Sequence, residues 1–181
     1  VRAGANPIFV DRGARPLRGF DPDLVEMLID RSGGIGVDLM RETEIVSVSE
    51  ASRAFTVEVK SGDETRTIET DLVVHGAGRV AALADLNLEA AGVDYSDKGI
   101  VVAPHLQSTT NSAVFAAGES ADTDGMPLTP VAVIEGKVAA SNMLKDTQTA
   151  PDYAGIPTAV FTVPEVARVG MLESEARDAG Y

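Results

Sequence analysis

A change of period between residues 36 and 74 constrains the fold more than any other feature of this chain. Before it, Pro7-Ile8-Phe9-Val10 forms an apolar run that stops at Asp11, the pattern of a buried strand. Asp21-Pro22-Asp23-Leu24 then supplies an N-cap residue, a proline at the first helical position and an acid in the first turn. Leu24, Val25, Leu28 and Ile29 share one helical face, and Ser32-Gly33-Gly34 ends the helix. Inside the block the spacing becomes two. Residues 45–48, 54–59 and 66–69 alternate or nearly so, with Ser61-Gly62-Asp63 as a hairpin turn. A strand–helix pattern with an antiparallel meander inserted in it predicts an α/β architecture.

The meander is expected to close with a strand at 71–75, running into Gly76-Ala77-Gly78-Arg79. Residues 83–92 read as mixed helix and loop, 99–102 as a strand, and 107–112 as a polar turn. A second buried strand is expected at 113–117, stopping at Gly118-Glu119, followed by a flexible acidic loop at 122–126. Thr129-Pro130 starts a helix to about residue 144, whose Ala132, Gly136, Ala139 and Ala140 allow close packing. Residues 145–152 read as a linker, 158–162 as a strand and 174–179 as the start of a helix.

Composition removes several function classes. The 181 residues contain no cysteine, so they hold no disulfide, no cysteine-ligated metal and no thiolate nucleophile. Two histidines, His75 and His105, make a poor metal cage, and neither is assigned a catalytic role. A net charge of −13 argues against a nucleic-acid partner, which requires clustered lysine and arginine. No apolar run approaches the ~20 residues of a membrane-spanning helix. The expectation is a cytoplasmic protein with no membrane and no nucleic-acid partner.

Chemistry is expected at the strand ends. In open α/β sheets ligands bind beyond the carboxyl ends of strands, where glycine lets the backbone approach closely. Gly76, Gly78 and Gly118 stand at such ends, although glycine after a strand is most often only a turn. Glu119 is placed to accept hydrogen bonds from a ligand hydroxyl. The helix starting at Thr129 offers its positive end to a partial negative charge, which in a flavin is the N1–C2=O edge. Asp11 matches the acid that accepts hydrogen bonds from an adenosine ribose, while Arg12, Arg15 and Arg18 suit a 2′-phosphate.

Taken in order, these segments resemble the pyridine nucleotide–disulfide oxidoreductases, the flavoprotein family of glutathione reductase, dihydrolipoamide dehydrogenase and mercuric reductase. Val10-Asp11-Arg12-Gly13 with Leu17-Arg18-Gly19-Phe20-Asp21 resembles the second strand and following segment of the NAD(P)H domain. Residues 71–79 resemble the return strand and Gly-Arg turn that lead back to the FAD domain. Val114-Phe115-Ala116-Ala117-Gly118 with Leu128-Thr129-Pro130-Val131-Ala132 resembles the second FAD motif and the helix that meets the flavin ring. Ile156-Pro157 to Phe161-Thr162, then Pro164-Glu165 and Val169-Gly170, resembles the opening of the dimerisation domain.

The resemblance implies a partial dinucleotide-binding, Rossmann-like three-layer fold with an inserted antiparallel meander, followed by the start of an α+β interface domain. It divides the chain into part of the NAD(P)H domain (1–75), a central FAD segment (76–148) and the start of the dimerisation domain (153–181). It implies FAD and NAD(P)H as cofactors, with Asp11, Arg12, Gly76, Gly78, Arg79, Gly118, Glu119, Thr129 and Ala132 as cofactor-binding residues. The parent would be a homodimer that passes hydride from NAD(P)H through FAD to a small-molecule disulfide. The family's cysteine pair and His-Glu pair have no counterpart here, so the chain is read as an internal fragment with no catalytic residue and no activity alone. A same-fold transhydrogenase or NADH oxidase, or a non-catalytic nucleotide-binding or interaction module, are the competing readings. Two positions leave questions open. Glu119 stands where the family usually has aspartate, and Asp11 favours NAD while residues 17–21 are similar to NADP-using glutathione reductases.

Overall fold

A computed structural model describes residues 1, 3–52, 54–145 and 147–181. The linker expected at 145–152 includes Asp146, which lies outside the described residues, as do Arg2 and Arg53. The first elements are β1 (Ile8–Val10), α1 (Pro22–Gly33), β2 (Asp38–Met40), β3 (Thr43–Ala51), β4 (Ala54–Ser61) and β5 (Glu64–Thr70). Next come β6 (Tyr95–Ser96), β7 (Gly99–Val101), β8 (Ala121–Asp122) and α2 (Thr129–Lys145). Last are β9 (Thr158–Val160), β10 (Val166–Arg168) and α3 (Glu173–Asp178). The chain divides into two units, Val1–Gly76 with Ala159–Tyr181, and Ala77–Thr158.

In the first unit β1 and β2 pair in parallel, with Ile8 opposite Asp38 and Val10 opposite Met40. Parallel neighbours need a crossover between them, and α1 supplies it. The apolar stripe of α1 buries Val25 and Leu28 against Phe20 and Val166, and this cluster is the core of the unit. Asp21 occupies the N-cap position without capping its own helix, and its carboxylate instead accepts the Glu173 N–H at 2.8 Å. Arg41 grips Glu26 of α1 with two bonds of 2.9 and 3.0 Å. The meander is β3-β4-β5, antiparallel throughout, with Val48, Val57 and Ile68 in register across it. The β4–β5 turn falls where Ser61-Gly62-Asp63 predicts it. β9 and β10 form a separate two-stranded sheet.

In the second unit β7 lies between β6, antiparallel to it, and β8, parallel to it. Leu83, Leu88, Val93, Ile100, Ala116 and Ala121 form its core. Gly99 begins β7 at φ +143°, and a Cβ there would lie 2.6 Å from the Ala121 carbonyl carbon. Only glycine lets β7 and β8 approach this closely. The buried stripe of α2 is Val131, Glu135, Ala139 and Asn142, at the spacing of one helical face. Asn142 is fully partnered. Its Nδ2 donates to the carbonyls of His105 and Thr149, both at 2.9 Å, and its Oδ1 accepts from Thr147 Oγ1 at 2.8 Å and Thr149 N–H at 3.1 Å.

Two expected strands are absent. Residues 71–75 run as irregular chain, with Leu72 and Val74 exposed by 69% and 79%. An apolar run becomes a strand only where a neighbour pairs its backbone and covers its side chains. None of the described residues does so here. Residues 113–117 make only an isolated antiparallel bridge instead, Phe115 opposite Gln107. Ala116 N–H reaches Leu106 O at 3.0 Å, Ser108 N–H reaches Val114 O at 2.8 Å, and the pairing ends there because the chain reverses at Asn111. The run is apolar because Ala116 enters the core, and it is not apolar because it belongs to a sheet. β2, β6 and β8 have no strand pattern in the sequence, being two or three residues long. Among the described residues no helix is long and apolar enough to cross a membrane.

Gly99→Ala should cost about 2–4 kcal/mol, through strain at positive φ and overpacking against β8. The check is the denaturant midpoint, and an unchanged midpoint with an unchanged slope would contradict the close approach.

Candidate functional site

The site grows from the end of the segment at 113–117. Ala117 is extended at φ −150°, Gly118 turns left-handed at φ +67°, and Gly118–Ser120 closes as one turn of 3₁₀ helix. A Cβ on Gly118 would lie 3.0 Å from Ala132 Cβ, so the turn rests directly against the start of α2. Ser120 Oγ donates back to Ala117 O at 2.9 Å. Glu119 projects outward from this turn and is paired with Arg79, both side chains being substantially exposed. A pair in water is worth at most about 1 kcal/mol, so it orients Glu119 without committing it.

Beneath the turn lies Glu135, an acid of α2 with only 1% exposure. Its Oε2 accepts the Gly118 N–H at 2.5 Å. Its Oε1 accepts the Thr123 hydroxyl at 2.7 Å and the Tyr153 hydroxyl at 2.6 Å. Burial, the hydrogen bond to Glu135, and the nearby charges of Glu135 and Asp124 push the Tyr153 hydroxyl up to about 12, while a hydrogen bond with Thr123 works against them.

Of the sequence-predicted site residues, Arg79, Gly118, Glu119 and Ala132 come together here, and Thr129 is the first residue of the same α2. Gly78 precedes Arg79 at φ +100°, and Gly76 lies in the other unit with open space around it. Asp11 also lies in that unit, at the end of β1, where its Oδ1 accepts the Gly13 N–H at 2.6 Å. Its backbone ties the end of β1 to the end of β2 and the start of β3, through Asp11 N–H to Met40 O at 2.9 Å and Thr43 N–H to Asp11 O at 3.0 Å. Arg15 is committed to Phe20 O at 2.8 Å, whereas Arg12 and Arg18 are exposed and make no ion pair among the described residues. His75 is exposed, and His105 Nε2 meets Gln107 at 3.1 Å. Among the described residues no group of three or more histidine or acidic side chains could hold a metal ion. A concavity of about 440 Å³ beside the meander, lined by Met40, Thr43, Val59 and Arg66 among others, contains none of the predicted residues.

Sequence reasoning missed Glu135, Thr123 and Tyr153. The signal was available for Glu135 alone. It stands four residues from both Val131 and Ala139, on the face that the small and apolar residues of α2 assign to the core.

Residues 1–136 match the family described as pyridine nucleotide-disulphide oxidoreductase, and the chain belongs to that family. Membership implies FAD and NAD(P)H as the family's cofactors. Among curated relatives, an uncharacterized 19.7 kDa protein in the mercuric resistance operon of Staphylococcus aureus is 48% identical over 95 residues, 52% of this chain and 53% of that protein. A glutathione reductase of Burkholderia cepacia is 31% identical over 175 residues, 97% of this chain and 38% of that protein. The chain thus spans between about a third and a half of the length of these relatives. A solved structure, the Cu(II) complex of the HOCl-induced flavoprotein disulfide reductase RclA from Escherichia coli, superposes with TM-score 0.81 at 23% identity, over 98% of this chain and 40% of that one. That likeness shows the fold.

Because the Tyr153 hydroxyl is held above its ordinary value of about 10, the folded chain binds this proton more tightly than the unfolded one. Its contribution to stability is complete below pH about 10 and is lost as the pH rises towards 12. Denaturation midpoints measured across that window should fall less steeply for Tyr153→Phe than for the parent. Equal slopes would contradict the buried contact.

Proposed function

We propose that this chain is the central part of an FAD-dependent NAD(P)H:disulfide oxidoreductase of glutathione-reductase type. The observation that carries the reading is the Gly118 turn. It sets an outward carboxylate, Glu119, beside the start of a 17-residue helix, within a family whose members bind FAD. The donor set fits that group. Glu119, oriented by Arg79, would accept a ribityl hydroxyl, and the helix start at Thr129 and Ala132 would hold the flavin edge that gains negative charge.

In the other unit, the parallel β1–α1–β2 arrangement supports a Rossmann-like nucleotide domain covering 1–75. Asp11 Oδ2 would accept from the adenosine ribose, and the exposed Arg12 would hold a 2′-phosphate when the nucleotide carries one. Residues 76–148 form the FAD segment and 153–181 open the dimerisation domain of a cytoplasmic homodimer. The exposed Phe161, Val169 and Met171 support that last assignment. Bound FAD supplies electron transfer between a nicotinamide and a disulfide. These 181 residues contain no cysteine, so the redox dithiol comes from elsewhere in the protein and the chain alone is inactive.

The test is to express the longer reading frame containing this chain and record its visible spectrum. Oxidised flavin absorbance near one equivalent, bleached anaerobically by NADH or NADPH, is the expected result. A colourless protein that takes up no FAD would overturn the reading. In the same protein Glu119→Ala should weaken FAD binding roughly tenfold, the effect of losing one charge-assisted hydrogen bond, as read by flavin fluorescence.

A further inference from the structure

Groups from both sides of α2 in the sequence converge on one buried carboxylate. Gly118 contributes a backbone N–H, and Thr123 and Tyr153 contribute hydroxyls. We propose that Glu135 is a positioning residue, which fixes the Gly118 backbone from inside the core and thereby sets where the Glu119 carboxylate stands. The inference rests on reading the Gly118 turn as facing the flavin.

The geometry separates two roles that adjacent residues could otherwise share. The Gly118 N–H points inward at Glu135, so it is not offered to a ligand. The ligand-facing group of the turn is the Glu119 side chain, which is exposed and paired with Arg79. Ala132 blocks that backbone from sinking further towards α2, and Glu135, one turn along the helix, holds it from rising. Steric stop and hydrogen bond together define one position for the turn. Glu135 also gathers Thr123, whose Oγ1 accepts the Gly125 N–H at 3.2 Å, so the 123–125 loop is set by the same group.

Glutamine at this position makes the role testable. Its amide must turn its oxygen to Gly118, because its NH2 group facing that N–H would set donor against donor. The NH2 group then faces Thr123 and Tyr153, whose hydroxyls rotate to accept. The clamp survives, while Tyr153 exchanges an acceptor carrying negative charge for a neutral donor. Its hydroxyl, held at about 12 by burial, Glu135 and Asp124, should ionise nearer its ordinary value.

The experiment compares this chain with Glu135→Gln and Glu135→Ala, by amide hydrogen exchange at Gly118 and by alkaline titration of tyrosine absorbance. In E135A, with helix content unchanged, Gly118 exchange should rise at least about tenfold, the equilibrium factor ordinarily associated with such a hydrogen bond. In E135Q, exchange should stay within about threefold of the parent while the Tyr153 titration moves down. Unaltered Gly118 exchange in folded E135A overturns the proposal. If E135A does not fold, E135Q decides: Gly118 protection that is lost overturns it, and protection kept within about threefold supports it. None of these measurements uses flavin. A colourless full-length protein would therefore defeat the flavin reading and leave the clamp standing, and failure of the clamp would leave the flavin spectrum unchanged.

Discussion

A carboxylate buried on α2 organises the second unit of this chain. Glu135 sits where a helix of small and apolar residues would ordinarily place another alanine or valine. Burying an acid without partners would cost several kcal/mol, and removing one hydrogen-bond partner from a satisfied buried group costs about 1–3 kcal/mol, more when the group is charged. The fold meets this demand by bringing three donors to it. The turn at Gly118–Ser120, the loop after β8 and the segment carrying Tyr153 are consequently not independent pieces. Each is placed by the need to satisfy the same two oxygens.

Asn142 repeats the arrangement two turns further along. It ties the His105 turn and residues 147–149 to the far half of α2 through four hydrogen bonds. The buried face of α2 therefore alternates packing residues with polar anchors. Such a face specifies one docking geometry more narrowly than an apolar one, because a shifted helix would leave buried polar atoms unpaired. Outward-facing groups are then free for chemistry. Glu119 and Arg79, in the same unit, share a solvent-exposed pair.

Much of this was legible in the sequence where the signal is local. The proline and acid at the start of α1, the alternation of β3 to β5 with their glycine turn, and the Thr129-Pro130 start of α2 all fold as their residues indicate. Where the outcome depends on a partner, the pattern misled. Residues 71–75 and 113–117 have strand composition, but a strand is a property of a pair: 71–75 finds no partner among the described residues, and 113–117 meets 106–108 in one isolated bridge. Family membership was legible from four motifs in order, none of which identifies it alone. The polar network was not legible, since Thr123 and Tyr153 reach Glu135 from positions that carry no periodic signal.

In the proposed reading the segment from Ala117 to Ala132 faces FAD. Hydrogen exchange followed by mass spectrometry on the longer protein, flavin-free and flavin-loaded, addresses it directly. Peptides spanning 117–132 should gain protection on loading, with the meander at 43–70 unchanged. Flavin binding that leaves 117–132 exchanging at the flavin-free rate would contradict the claim.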